Sequence, residues 1–241
     1  MNTIWIITKR ELNSFFDSLI AFIMIILFLG FSGFFTWISG SDIFLIGQAS
    51  LRPFFSIAYW TLFFFIPALT MRLIAEEKKT GTIEMLLTKP VTDRQVIIGK
   101  FMSTLILIII ALAFTLPYVI TISRIGNIDS GGTICGYLAL VLMSAAYTSI
   151  GIFTSSITNN QIVAFLSALF IGLFFHIIFD VLASGMTGFL GMVISTLSVP
   201  THFESLSRGV VDSKDLIYFG SIIFLGLFLS EVSLAKRNAF N

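Results

Sequence analysis

The chain has 241 residues, 56% of them hydrophobic and 11% charged, with a net charge of +1 and a mean hydropathy of +1.00. Soluble domains carry roughly a quarter of their residues as charges, so this composition excludes a water-soluble globular protein and gives no electrostatic basis for binding nucleic acid. One cysteine, Cys135, rules out an intramolecular disulfide; in its apolar stretch it reads as a small packing residue.

Residues 1–18 predict an amphipathic helix. Trp5, Thr8, Leu12, Phe15 and Leu19 recur at three-and-four spacing, while Lys9, Arg10, Asn13 and Asp17 fall largely elsewhere on the wheel. Such a helix can lie in the plane of a leaflet with Trp5 at headgroup level. Six apolar stretches then follow, each near the about 20 residues a membrane crossing needs. They run from Leu19 to Ser39, Phe54 to Met71, Phe101 to Ile122, Ile134 to Ser155, Ile162 to Phe179 and Leu216 to Leu234. No small-residue cleavage site follows the first, which argues against a signal peptide. Pro67 and Pro117 fall inside spans, where neighbouring helices can satisfy the freed carbonyls.

Between the second and third spans, residues 73–98 form the most charged part of the chain. The second span is expected to run on as helix through Arg72, Glu76 and Lys79 and to break at Gly81. A short helix, Thr82 to Thr88, stops at Pro90, and Thr92 with Gln95 has capping-box spacing for the helix that enters the third span. Ile83, Leu86 and Leu87 give the short helix an apolar ridge flanked by Glu84 and Lys89. An apolar ridge ringed by charge suits a groove on a partner protein; a solvated hairpin resting on headgroups is the alternative.

On the fifth span, Ala164, Ala168 and Gly172 form a small-residue face for close helix packing. His176 and Asp180, four residues apart, point either to a proton or cation relay or to a simple pair at the helix end. Residues 184–213 form an external loop region, and its stretch Ser184 to Val199 is too short and too interrupted to cross. It reads as re-entrant short helices before the last span, an ordinary interfacial loop being the other reading. The whole chain, 1–241, is therefore one all-α polytopic membrane domain.

Lys and Arg set the orientation, since cytoplasmic loops are enriched in them. With six spans, ten of the 14 fall on the side of both termini and of the charged loop, and four (Arg52, Arg124, Arg208, Lys214) on the other. Both termini are expected in the cytoplasm. The sequence carries no P-loop, no H-E-x-x-H, no G-x-S-x-G and no cysteine cluster, and its two histidines lie in separate segments. No cofactor, metal or catalytic residue is expected, and nucleotide hydrolysis would have to come from another chain.

The run from Ala75 to Val91, A-E-E-K-K-T-G-T-I-E-M-L-L-T-K-P-V, resembles the cytoplasmic loop of ABC-transporter permeases of the type-2 export class. So do K-R-E-L-N-S-F-F at Lys9 to Phe16 and H-F-E-S-L-S-R-G-V-V-D at His202 to Asp212. Within that class the pattern resembles the permease subunit of the gliding-motility-associated ABC transporter. The resemblance implies an exporter subunit in the bacterial inner membrane, paired with a second permease and two copies of a separate cytosolic ATPase. It leaves open whether the second permease is identical and whether it supplies a large external domain. By position it makes Glu76, Glu77, Gly81, Thr82, Glu84 and Leu87 the ATPase-coupling element. From the residues alone, a membrane anchor or mechanical transmitter that moves a partner without carrying solute fits the same loop. An ion-coupled secondary transporter built on His176 and Asp180 is the third reading.

Overall fold

The computed structural model describes residues 3–38, 49–82 and 91–238. In chain order the helices are α1 (Thr3–Asp17), α2 (Ile20–Trp37), α3 (Arg52–Thr70), α4 (Ala75–Thr80), α5 (Asp93–Ala113), α6 (Leu116–Ile125), α7 (Ser130–Ile157) and α8 (Gln161–Leu173). A π-helical turn, Phe174–Ile178, leads into α9 (Phe179–Ser184), followed by α10 (Phe189–Ser195), α11 (Val199–Ser207) and α12 (Ser213–Asn238). No strand occurs among the described residues. Six helical stretches are long and apolar enough to cross a membrane: α2, α3 with α4, α5 with α6, α7, α8 through α9, and α12. The chain is an all-α, multi-pass membrane protein.

The bundle is built around α7, the fourth span. Of its apolar window 78% is buried, against 56% for the second span and 22–33% for the others. Its residues explain this position. Gly136, Ala139, Ser144, Ala145, Ala146, Ser149 and Gly151 are all small and buried, and small residues let helix backbones approach closely when lipid offers no hydrophobic drive. A Cβ on Gly136 would lie 2.5 Å from the Phe55 ring of α3. One on Gly226 of α12 would lie 2.9 Å from the Ser149 backbone. The small face expected on the fifth span is used in the same way. Ala164, Ala168 and Gly172 are the buried residues of α8, and Gly172 meets Phe63 and Tyr147 of the second and fourth spans. That face serves packing within the chain.

The expected stripe of the first helix divides, with Thr8 and Phe15 buried and Leu12 packed against the core. Ile7, Thr8 and Phe15 are its buried residues, whereas Trp5 and Leu19 are exposed. The inward face is set by α5, against which α1 packs. Gly99 leaves room for Ile7, since a Cβ there would come within 2.6 Å of Ile7 Cγ2, and Thr8 Oγ1 donates to the Gly99 carbonyl at 3.2 Å. Leu19, at φ 59°, forms the elbow between α1 and α2.

The expected capping box is present at the start of α5. Gln95 N donates to Thr92 Oγ1 at 3.3 Å and Thr92 N donates to Gln95 Oε1 at 3.2 Å. Pro117 sits in the first turn of α6, where the third span is interrupted; the pyrrolidine ring cannot occupy a helix interior without displacing a carbonyl. Beyond the fifth span, α10 and α11 have 7 and 9 residues, each too short to cross. They fold back towards the bundle while Phe189, Leu190 and Met192 stay exposed.

Candidate functional site

The expected coupling residues stand on a short helical arm, α4, at one end of the second span. Gly81 closes the arm in the left-handed conformation, at φ 72°, which a residue with a side chain rarely adopts. Glu76 is exposed and Glu77 half-buried. Thr82 Oγ1 lies 2.9 Å from Thr80 Oγ1 and 3.4 Å from the Glu77 carbonyl, folding the chain back over the end of the arm. Of the six expected coupling residues, Glu76, Glu77, Gly81 and Thr82 are thus together. Glu84 and Leu87, with the rest of the expected short helix Thr82 to Thr88, lie outside the described residues.

The arm is not the unbroken continuation of the second span expected from the sequence. Between Met71 and Ile74 the helix opens into turns. The break is filled by Ser155 of α7, whose Oγ accepts from Ile74 N at 3.1 Å and Ala75 N at 3.0 Å and donates to the Met71 carbonyl at 3.0 Å. One turn along the arm, Lys78 Nζ donates to the Ser156 carbonyl, which also accepts from Ser233 Oγ of α12 at 3.0 Å.

The other flank of the arm is held by charge. Lys100 of α5, 1% exposed, places Nζ 2.8 Å from Glu77 Oε1 and 3.4 Å from Glu11 Oε2 of α1. Arg10 adds a contact to Glu77 at 3.6 Å. One ammonium thus ties the first helix, the third span and the arm. Burial works to raise the Glu11 pKa, but Lys100 and Arg10 outweigh it and hold the carboxyl below the ordinary glutamate value of 4.5. Between α1 and the arm lies a groove of about 680 Å³ lined by Arg10, Ser14, Phe15, Arg72, Glu76 and Thr82, among others. Arg72 spans its floor, stacked 5.6 Å above the Phe15 ring and donating to Ser18 Oγ at 3.3 Å. Glu11, Lys100 and Ser155 carry no sequence signal for these roles, because each acts on a residue distant in the chain.

The opposite face holds the second set of candidates. His176 lies in the π-helical turn, 2% exposed, stacked between Tyr59 and Phe63 with centroids 4.1 and 4.3 Å away. Its Nδ1 is 2.8 Å from Tyr147 Oη, while Asp180 accepts from Ser198 Oγ at 3.5 Å. The expected His176–Asp180 pair at the helix end therefore does not form. Both residues instead border a cavity of about 630 Å³ shared with Arg52, Trp60, Glu204 and Arg208. Near the start of α12, His202 Nδ1 meets Asp215 Oδ1 at 2.6 Å and its Nε2 meets the Thr196 carbonyl at 3.0 Å, fastening α11 to the last span. No group of three His, Cys, Asp or Glu residues suited to a metal ion occurs among the described residues.

The profile of the family described as ABC-2 family transporter protein matches residues 40–208, which includes the arm, the central span and the cavity beside His176. No curated protein matches the chain. A match over more than half the length, on six apolar helices in one bundle, has one meaning: the chain belongs to the ABC-2 transporter family and is a multi-pass permease subunit of an ABC transporter, not itself a catalytic chain.

Proposed function

We propose that this chain is the export permease of a bacterial inner-membrane ABC transporter, gripped at its arm by a separate cytosolic ATPase. Both termini and the arm face the cytoplasm. Glu76, Glu77, Gly81, Thr82, Glu84 and Leu87, within the loop 73–98, form the coupling element. Two ATPase copies serve a pair of permeases, and solute passes between the two permease subunits. The resemblance of the arm and of the N-terminal motif supports the branch linked to gliding motility.

One observation carries the reading. The arm projects charge outward at Glu76 and Lys79, while its root is tied to the third and fourth spans and to α1. Such bracing suits an element loaded from outside, and packed elements with two arrangements are how partner movement becomes a change in helix tilt. The positive-inside count of Lys and Arg supports the cytoplasmic assignment.

Affinity purification in mild detergent is expected to bring down a stoichiometric P-loop ATPase, released when Glu84→Ala and Leu87→Arg are combined. An ATPase that stays bound to that double variant overturns the coupling assignment, as does labelling of residues 76–90 from the extracytoplasmic side. The transmitter reading shares the same arm, and reconstitution decides it: solute moved by the complex in liposomes excludes it. The His176–Asp180 relay has no direct bond to rest on, since the imidazole is bonded to Tyr147 and Asp180 to Ser198.

A further inference from the structure

We infer that Ser155 is a positioning residue that makes the arm and the fourth span one mechanical unit, so that force on the arm enters the centre of the bundle through α7. The local chemistry carries the claim. In a continuous helix the Ala75 amide would bond the Met71 carbonyl four residues back. Here a hydroxyl from another span sits in that gap, donating to Met71 O and accepting from Ile74 N and Ala75 N. A serine hydroxyl offers one donor and two acceptor sites, and all three are used. The side chain is fully buried, so water cannot replace it. Loss of the hydroxyl would leave two amides and a carbonyl without partners in an apolar setting.

The neighbours of Ser155 extend the lock in both directions. One turn earlier, Gly151 lets Thr70 into the surface of α7: a Cβ there would lie 2.7 Å from Thr70 Cβ. At the next residue, the Ser156 carbonyl receives Lys78. Thr70, the break and Lys78 are thus fixed in succession to a single helix. That helix is the most buried span, and it packs on α3, α5, α8, α11 and α12. The opening at Met71–Ile74 interrupts the hydrogen-bond ladder of the second span, and Ser155 ties the arm to the fourth.

The local lock stands on geometry alone; its mechanical consequence rests on the arm being the coupling element. The test is amide hydrogen exchange of the full chain in lipid nanodiscs, wild type against Ser155→Ala, with the near-isosteric Ser155→Cys as a second variant. Ser155→Ala is expected to speed exchange in peptides covering 71–75 by about ten- to a hundred-fold, with Ser155→Cys intermediate, while peptides of α5 stay unchanged. Unchanged exchange at 71–75 overturns the inference, and so does a uniform rise across all spans, which marks general loosening. The second arm uses the complex with its co-purified ATPase, with and without a non-hydrolysable ATP analogue. Nucleotide is expected to alter exchange in the far half of α7 in wild type and not in Ser155→Ala, although the ATPase remains bound. A response of α7 that persists in Ser155→Ala overturns the transmission role. Release of no ATPase from the Glu84→Ala, Leu87→Arg variant would sink the coupling element instead, leaving the exchange result at 71–75 to be read separately.

Discussion

Replacing Lys100 by methionine is expected to destabilise the protein by about 3–5 kcal/mol, because it leaves buried carboxylates without their cation. Glu11 and Glu77 keep only 13% and 20% of their side-chain surface, and Glu77 Oε2 already lacks a hydrogen-bond partner. Arg10 reaches both carboxylates but is half exposed, so its screening by water limits what it restores. Denaturant titration in detergent measures the loss, and adding Glu11→Gln and Glu77→Gln to Lys100→Met should recover much of it. The pH dependence has a defined sign. Glu11 titrates below its ordinary value in the folded state, so its contribution is complete above about 4.5 and disappears as pH falls through the lower folded value. The gap between wild type and Lys100→Met should therefore narrow in acid. An equal gap at pH 7 and pH 3 would refute the triad as the source of the effect.

The second large effect is steric. Gly151→Ala is expected to cost about 1–3 kcal/mol by overpacking, and Gly151→Val more. The added Cβ would fall 2.0 Å from Thr70 Oγ1 and 2.7 Å from Thr70 Cβ. Thr70 cannot swing away freely, since it is fully buried and its hydroxyl bonds the carbonyls of Ile66 and Pro67 at 2.9 and 3.3 Å. Thr70→Ala combined with Gly151→Ala should recover part of the loss by removing the nearer atom. Gly220→Ala is the control, because its Cβ would meet nothing within 4 Å. Similar melting losses for Gly151→Ala and Gly220→Ala would argue against a tight seam between the second and fourth spans.

Much of the architecture was legible because its causes are local. Runs of apolar residues mark the spans, Thr92 and Gln95 mark the start of α5, and Gly81 marks the end of the arm. The spacing of Ala164, Ala168 and Gly172 marks the packed face of the fifth span. What escaped depends on residues far apart in the chain. The opening at Met71–Ile74 is stabilised by a hydroxyl 81 positions away, and nothing between Thr70 and Ala75 announces it, since Pro67 lies a turn earlier inside α3. Lys100 reads as the last charge before a span, yet its partners sit on α1 and α4. On the first helix Thr8 and Phe15 of the expected stripe are buried, but Ile7 is buried beside them because Gly99 of α5 makes room for it. At His176 the four-residue spacing suggested Asp180 as partner, but aromatic neighbours and Tyr147 hold the imidazole instead.

The junction at residue 156 has a consequence for how freely this region can drift in sequence. Lys78 and Ser233 both converge on its carbonyl oxygen, while the Ser156 hydroxyl turns back to the Phe153 carbonyl of its own helix. An oxygen common to every amino acid cannot be deleted by substitution. Ser156→Ala should therefore leave the three-way knot intact, with melting behaviour close to wild type, whereas the same exchange at 155 removes the hydroxyl that bonds Met71, Ile74 and Ala75. Adjacent serines thus hold the same junction in different ways, one through its backbone carbonyl and one through its side-chain hydroxyl.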